Sequence, residues 1–425
     1  MDEPACDCAA VAPPDRRTAF EAVAALLLPA EPARRGVIVE AAADWGPAEG
    51  LPVDVDVVVW GRPSLRGGTP PLVVLRSAAA REQALARLRW RAPAPLELVA
   101  VHRLAPPTNR PPSRVAHLRA TLLSGVLVEL AAPPQRPRVL DAVAAAAGAE
   151  GGVRRFRPGS GGQGLAEIAL AGGVEAIIRA APTGAAIGAV DPAHSGDGLE
   201  ALAVVSAREV PRLLGRGHAA GASWTAESRL VGCRPRHLTC RLLADVTQFC
   251  AALPPCAEPP TALAADLERI ATLLPDRGRA MRKLAVQVAP ALEGMPSVLR
   301  HGDLWAGNLL CERGAITGII DWDAWHPRGV PGADLVQLLG TEHRIRWHLA
   351  LGAAWRERPW RMEEAARSNY WHALGLAPTT EALDLAGLAW WAAEVAGTLR
   401  RLPHRATDER WLALNVDPVL ADLRP

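Results

Sequence analysis

Residues 299–325 read LRHGDLWAGNLLCERGAITGIIDWDAW, and the rest of the chain is arranged around them. A short apolar approach, Ser297-Val298-Leu299, leads into His301-Gly302-Asp303, and Asn308 stands five residues after Asp303. Two apolar, strand-like pieces follow, Leu309-Leu310 and Ile316 to Ile320, on either side of a turn at Glu312-Arg313-Gly314. The second piece runs straight into Asp321. Apolar runs around a glycine turn read as a hairpin. The pattern therefore predicts a loop, a β-hairpin and a second acidic loop, with Asp303, Asn308 and Asp321 at one end of a small sheet.

Those residue types suit one chemistry. Phosphoryl transfer needs a carboxylate to orient and deprotonate an acceptor hydroxyl, and oxygen ligands to hold Mg²⁺ on the phosphates. Asp303 fits the first role. Asn308 and Asp321 fit the second, because Mg²⁺ takes one or two protein oxygens and leaves the rest to phosphate and water. An Asp followed five residues later by Asn, with a metal-binding Asp beyond, is also the spacing of the kinase catalytic loop. The stretch resembles the aminoglycoside phosphotransferase and choline kinase family of small-molecule kinases. That family's H-G-D-x-x-x-x-N loop stands here as His301-Gly302-Asp303 to Asn308. Its I-D-W-D/E segment stands as Ile320-Asp321-Trp322-Asp323. Protein kinases usually carry Arg after the loop His and Phe-Gly after the metal Asp; this chain has neither.

Composition bounds the partners. A chain of 425 residues, 49% apolar, has room for two or three domains. The net charge is +2 with both signs interspersed and no basic stripe with interleaved aromatics, so nucleic acid is not the implied partner. No basic run precedes an apolar core near the start, and no window of about 20 residues is apolar enough to span a bilayer. The expectation is a cytoplasmic protein without a membrane partner. Cys6 and Cys8 lie in the first residues. Cys233, Cys240, Cys250, Cys256 and Cys311 show no C-x-x-C pairing and read as small buried hydrophobes in a reducing compartment.

Residues 1–17 read as a disordered tail. From 18 to 150 strands alternate with helical patterns, which suggests a small α/β domain. Ala19 to Leu28, Arg81 to Trp90 and Arg114 to Leu123 read as helices. Val37 to Val39, Val55 to Trp60, Leu72 to Leu75, Leu96 to Val101 and Val126 to Leu130 read as strands. The order faintly resembles a Rossmann-type methyltransferase. The glycine-rich turn and acidic ribose-binding residue of such a site are missing, which favours a degenerate, structural or interaction domain that can take a protein partner.

The kinase-like part opens at residue 151. Val153 to Arg157 and Leu165 to Leu170 read as strands around Pro158-Gly159-Ser160-Gly161-Gly162-Gln163-Gly164. A glycine-rich hairpin can lay main-chain N–H groups over phosphates, and the resemblance implies this role for Ser160, Gly161 and Gly162. On the following strand the family carries a phosphate-binding Lys paired with a Glu of the next helix. The matching position is Arg179, the only lysine being the distant Lys283, and the matching Glu is Glu200. Arg keeps the charge with a different geometry, so the exchange is not conservative; the alternative is an exposed strand-end charge. The resemblance further implies a hinge at Glu227 to Leu230 whose main chain meets the adenine.

Beyond residue 233 the chain reads as helical: Leu238 to Leu253, Thr261 to Leu274, Ala280 to Leu292, and most of the last hundred residues. Asp334 fits a helix start, bracing the loop. Asp323 either assists metal or substrate or serves as a bracing acid. His301 fixes the loop through hydrogen bonds. The Trp-rich C-terminal helices, edged by Glu363, Glu364 and Glu394, either line a pocket for a cationic or sugar-like acceptor or pack an ordinary core. The expected fold class is α+β: a protein-kinase-like bilobal fold, lobes 151–232 and 233–425, preceded by a small α/β domain. The expected activity is transfer of phosphate from ATP or GTP, with Mg²⁺, to a hydroxyl of a small metabolite such as an amino sugar, sugar, amino alcohol or aminoglycoside-like compound. The alternative is a kinase-fold binding or regulatory protein with little turnover.

Overall fold

The computed structural model describes residues 22, 23, 25–27 and 30, four strands between residues 37 and 131, and residues 137–423 apart from 159–162, 184–190, 204–208, 254 and 362–363. The expected tail, the strand at 72–75 and the helices at 81–90 and 114–123 lie outside the described residues. The four strands are β1 (Val37–Glu40), β2 (Val57–Gly61), β3 (Glu97–Arg103) and β4 (Val126–Ala131). They form one sheet in the order β1-β2-β4-β3. β1 and β2 run parallel, while β4 is antiparallel to both β2 and β3. A dinucleotide-type sheet is mostly parallel, and these strands supply one parallel pair.

A second sheet makes the small lobe. It contains β5 (Arg155–Pro158), β6 (Gly164–Leu170), β7 (Val174–Pro182), β8 (Leu213–Ala219) and β9 (Ala222–Ser228), in the antiparallel order β5-β6-β7-β9-β8. Alternation along β7 sends Ala176, Ile178 and Ala180 into a core with Ala166, Ile168, Trp224 and Ala226. Arg179 therefore stands on the opposite face. Helix α1 (Val139–Ala146) closes the core with Leu140 and Val143, and Val23, Leu26 and Leu27 join them. These residues were expected in the first domain. They pack instead on the small-lobe sheet, so the first four-stranded sheet lies between two pieces of chain that belong to this core. The apolar positions of 139–146 carry the signal, but a helix of two turns is easily passed over. Helix α2 (Pro192–Leu202) lies across β9, tied by Thr225 Oγ1, which donates to the Pro192 carbonyl at 2.7 Å.

The large lobe is helical around a small strand cluster. Its elements are α3 (Cys240–Ala252), β10 (Pro255–Cys256), α4 (Ala262–Leu273), α5 (Pro275–Glu293), β11 (Ser297–Arg300), β12 (Leu309–Glu312), β13 (Ala315–Ile319), β14 (His326–Gly329), α6 (Ala333–Trp347), α7 (Leu351–Glu357), α8 (Glu364–Ala373), α9 (Thr380–Arg401), α10 (Glu409–Asn415) and α11 (Asp417–Asp422). The hairpin β12–β13 pairs Leu309 with Ile319 and Glu312 with Ala315. β11 lies between β10 and β14. Two lobes, with the acidic hairpin where they meet, make the bilobal fold that the resemblance implies. No helix among the described residues is long and apolar enough to cross a membrane.

The cysteine reading needs correction: Cys250 is buried, but Cys233 and Cys240 are exposed. Cys233 exchanges main-chain hydrogen bonds with Cys311 at 2.9 and 3.0 Å, because the link from the small lobe runs as an isolated bridge beside β12.

Most of the Trp-rich C-terminal stretch is core: Trp355, Trp360, Trp371, Trp390 and Trp391 are fully buried, while Trp347 is 57% exposed. α9 crosses α6 closely because Gly340 has no side chain; a Cβ there would come within 2.5 Å of the Trp390 ring. Alanine has a helix propensity about 1 kcal/mol better than glycine. Gly340→Ala is nonetheless expected to destabilise the protein by about 1–3 kcal/mol, the usual cost of overpacking. Urea denaturation decides the sign.

Candidate active site

The loop of residues 301–308 is pinned from three sides. Asp334, near the start of α6, accepts the N–H groups of His301 at 2.7 Å and Gly302 at 3.0 Å. His301 is buried, and its Nδ1 accepts the Asp303 N–H at 3.1 Å. Its Nε2 lies 3.1 Å from the Ile320 carbonyl, which can only accept, so the proton sits on Nε2. Burial pulls the imidazole pKa below its ordinary value. His301 is thus a neutral, single-tautomer strut between the two acidic loops, as its sequence context suggests. Gly302 has φ +79°, and a Cβ there would stand 2.0 Å from the Ala324 carbonyl oxygen. Only glycine fits, which accounts for the absence of an Arg after the loop His.

This frame presents Asp303. Asn308 donates its amide to the Asp303 carbonyl at 2.8 Å and to Oδ2 at 3.0 Å. The amide nitrogen is thereby engaged, and the carboxamide oxygen is the atom able to meet a cation. The Ile320 N–H donates to the Asn308 carbonyl at 2.9 Å, which sets Asp321 beside the loop. Asp321 itself has φ +72°, ψ +59°, a left-handed conformation that Asp tolerates better than most residues. Such outliers persist where the surroundings dictate them and often mark functional sites. Burial raises the Asp303 carboxyl well above the usual range, and the charges of Asp321 and Glu394 add to the shift; Arg401 and Asn308 oppose it.

Arg179 reaches the site from β7. It is 5% exposed. Its Nη1 donates to Asp321 at 3.0 Å and to both carboxylate oxygens of Asp323 at 3.1 Å, and its Nη2 to Glu227 at 3.3 Å. The exposed strand-end reading of Arg179 is therefore excluded. The expected partner Glu200 is also corrected: it bonds Arg216 at 3.1 Å on the surface of α2 and does not touch Arg179. The reason lies in the register of the sheet. Arg179 pairs with Thr225 and Ile177 with Glu227, so Glu227 stands diagonally across on the same face, within reach of a long side chain. Sequence reading placed Glu227 at the hinge through its main chain and missed its carboxylate; knowledge of the β7–β9 register would have found it. The N–H groups of Ser228 and Arg229 are already bonded to the carbonyls of Arg212 and Glu175. Main-chain donors to an adenine would therefore have to come from Leu230 onward. Ser160, Gly161 and Gly162 lie outside the described residues, although their hairpin is closed by the pairing of Pro158 with Gly164.

The DUF1679 family model, described as "Uncharacterized oxidoreductase dhs-27", matches residues 265–342, from α4 to α6. No curated protein matches. Among solved structures, the chain is similar to the aminoglycoside phosphotransferase APH(3'')-Id of Streptomyces rimosus in complex with ADP and streptomycin. The identity is 18% over 60% of this chain and 96% of that one, with a TM-score of 0.41. It is also similar to the macrolide 2'-phosphotransferase MphH of Brachybacterium faecium, 20% identical over 65% of this chain and 98% of that one, with a TM-score of 0.43. At these identities the likeness is one of fold.

The donor set fits a nucleotide-borne cation. No cluster of three His, Cys, Asp or Glu side chains able to close round a metal occurs among the described residues. Mg²⁺ on phosphates needs only one or two protein oxygens, and the Asp321 carboxylate and the Asn308 carboxamide oxygen could supply them. Glu227, Asp321 and Asp323 together face the single guanidinium of Arg179, so ionised they leave a negative excess that a divalent cation would offset.

That excess has a pH signature. Burial, with Asp321 and Glu227 nearby, pushes Asp323 up to about 7 despite Arg179. A carboxyl whose folded pKa lies above its unfolded value of about 3.9 binds more protons folded than unfolded between those limits. Its contribution to stability is therefore full below about pH 4 and is lost as pH rises towards 7. The expected result is that the metal-free protein loses stability across this window, on top of whatever other groups contribute. Mg²⁺ should raise the melting temperature more at pH 8 than at pH 5. A larger Mg²⁺ effect at pH 5 in a thermal-shift titration would contradict the arrangement of acids described.

Proposed function

We propose that the protein transfers the γ-phosphoryl group of a nucleoside triphosphate to a hydroxyl of a small metabolite. The observation that carries this reading is the rigid presentation of Asp303 beside Asn308 and Asp321, at the meeting of a sheet lobe and a helical lobe. Asp303 takes the proton of the acceptor hydroxyl. The acceptor oxygen bonds to the γ-phosphorus, the bond to the β-phosphate oxygen breaks, and the nucleoside diphosphate leaves. Asn308 and Asp321 hold Mg²⁺, which when bound neutralises charge on the phosphates. Arg179 serves the phosphates from β7, steadied by Glu227. His301 and Asp334 keep the loop in register. ATP or GTP is the donor, and a sugar, amino sugar, amino alcohol or aminoglycoside-like compound fits the acceptor role in general terms.

A second reading has one observation in its favour: Arg179 is bonded to Asp321 and Asp323. A kinase-fold binding or regulatory protein would keep that contact. Calorimetric titration of Mg·ATP and Mg·GTP into the wild type and into Asp321→Ala separates the two. Metal-dependent binding that the variant loses by roughly tenfold or more, the scale of a lost charged ligand, supports the transferase. A wild type that binds neither nucleotide leaves the regulatory reading.

A further inference from the structure

The link from the small lobe to the large one, residues 229–239, is stitched to the hairpin that follows Asn308. Thr317 Oγ1 of β13 donates to the Val231 carbonyl at 2.7 Å. Gly232 follows with φ +142°, and a Cβ there would stand 2.4 Å from the same hydroxyl oxygen and 3.2 Å from the Cys311 nitrogen. The missing side chain lets the link turn down against β12, on the edge that β13 leaves open. Cys233 is the next residue. Its N–H donates to the Cys311 carbonyl at 3.0 Å, and the Cys311 N–H donates back at 2.9 Å.

Residues that exchange both main-chain bonds face each other directly, with Cα atoms about 5.5 Å apart and side chains on one face. Disulfides span Cα separations of about 4.4–6.8 Å, so the two backbones stand at bridging distance. The Cys311 sulfur is turned towards its partner: Sγ donates to the Cys233 carbonyl at 3.2 Å. Among the described residues no other cysteine faces a cysteine across a strand pair. Cys233 is exposed and Cys311 half-buried. An oxidant therefore meets the first, and the second is placed to resolve it, as in redox-sensing pairs. Facing Cβ atoms lie about 4.5–5.5 Å apart, and a disulfide needs about 3.8 Å. Closing the bond pulls the link against β12. Strained, exposed disulfides are the readily reduced ones.

We propose that Cys233 and Cys311 are a reversible disulfide site that clamps the link between the lobes and, resting on the phosphotransferase reading, weakens nucleotide binding when closed. The oxidant is a hydroperoxide. The Cys233 thiolate attacks its terminal oxygen, the O–O bond breaks, and an alcohol or water leaves with the sulfur oxidised to a sulfenic acid. The Cys311 thiolate attacks that sulfur, the S–S bond forms, the S–O bond breaks and water leaves. In sum the peroxide takes two electrons and both thiol protons. A dithiol reductant reopens the bond by exchange. Main-chain donors to an adenine would start at Leu230, three residues before Cys233, and β12 begins directly after Asn308. Tension on this one pair acts on the nucleotide end and the metal end of the site together.

The test uses the full chain, reduced with dithiothreitol, freed of it and exposed to hydrogen peroxide. Non-reducing proteolysis with mass spectrometry maps the cross-links, and calorimetry reads the affinity for Mg·ATP and Mg·GTP, for the wild type, Cys233→Ser, Cys311→Ser and Cys240→Ser. The expected result is a bond between Cys233 and Cys311 in the wild type and in Cys240→Ser, with nucleotide bound at least about fivefold more weakly, the lower range of coupling between linked sites. Dithiothreitol should restore the affinity. Cys233→Ser and Cys311→Ser keep the main-chain bonds and should show no loss on oxidation. The proposal is overturned if peroxide leaves Cys233 and Cys311 unlinked, if Cys233 pairs with Cys240 instead, or if the cross-linked wild type binds nucleotide as tightly as the reduced one. It also falls if the Cys233 and Cys311 variants lose affinity on oxidation as the wild type does. A reduced wild type that binds neither nucleotide sinks the phosphotransferase reading instead, and the cross-link map still decides the disulfide.

Discussion

Asp303→Asn is expected to abolish most turnover while leaving the protein folded and able to bind Mg·nucleotide. A positioned general base contributes roughly 100- to 10,000-fold to a rate, and Asn keeps the size of Asp without its basicity. The contact that holds the loop survives, because the Asn308 amide can donate to a carboxamide oxygen as it does to Asp303 Oδ2. The main-chain bonds of His301, Gly302 and Asp303 to Asp334 and His301 do not involve the Asp303 side chain. Stability should even rise. Burial and the charges of Asp321 and Glu394 already oppose ionisation of Asp303, and a neutral amide removes that conflict. ADP release with an added hydroxyl acceptor, measured beside thermal melting and nucleotide calorimetry, separates these effects. A variant that keeps more than about a tenth of wild-type turnover would remove Asp303 from the role of base. One that loses nucleotide binding would show that the side chain organises the site instead.

The parts of the molecule that were legible in the sequence are those fixed by local rules. The hairpin of residues 309–320 follows from apolar runs around Gly314, and its acids follow from their spacing. The loop role of His301 follows from its place ahead of a carboxylate. The helix at 240–252 was visible as a face of Leu242, Val246, Phe249 and Cys250, and all four are buried. What escaped depends on non-local register. Glu227 lies 48 positions from Arg179, and only the pairing of β7 with β9 makes them neighbours. Glu200 was the nearer guess because it follows on the next helix, but Arg216 from β8 claims it. The packing of Val23, Leu26 and Leu27 beside Leu140 joins pieces of chain separated by a whole sheet, and no periodicity announces such a contact. The Trp-rich helices could be read equally as a pocket or a core. Five fully buried indoles, those of Trp355, Trp360, Trp371, Trp390 and Trp391, place most of them in the core.

Arg179→Met is expected to have the largest effect on the fold. The guanidinium is buried and serves Glu227, Asp321 and Asp323 at once. Removing one partner of a buried ion pair costs about 3–5 kcal/mol, because the remaining charges are left uncompensated. The loss should be greatest above pH 7, where Asp323 is ionised, and smaller in acid, where it carries a proton. Added Mg²⁺ should restore part of it in Met, since a divalent cation can take up the charge that Arg179 balanced. Arg179→Lys separates folding from function. An ammonium cannot fork to three carboxylates as a guanidinium does, so stability should fall between wild type and Met. The same looser grip should release Asp321 more readily, and Mg·nucleotide affinity should hold or rise. Stability given up at a site for the sake of its ligand is a familiar exchange. Chemical denaturation at pH 5 and pH 8, with and without Mg²⁺, tests the first part, and nucleotide calorimetry tests the second. If Arg179→Met unfolds at the wild-type denaturant concentration at pH 8, the triple ion pair does not hold the lobes together. If Arg179→Lys loses nucleotide affinity as steeply as Met, the guanidinium works on the phosphates through its fork, and its contact with Asp321 is no obstacle to the metal.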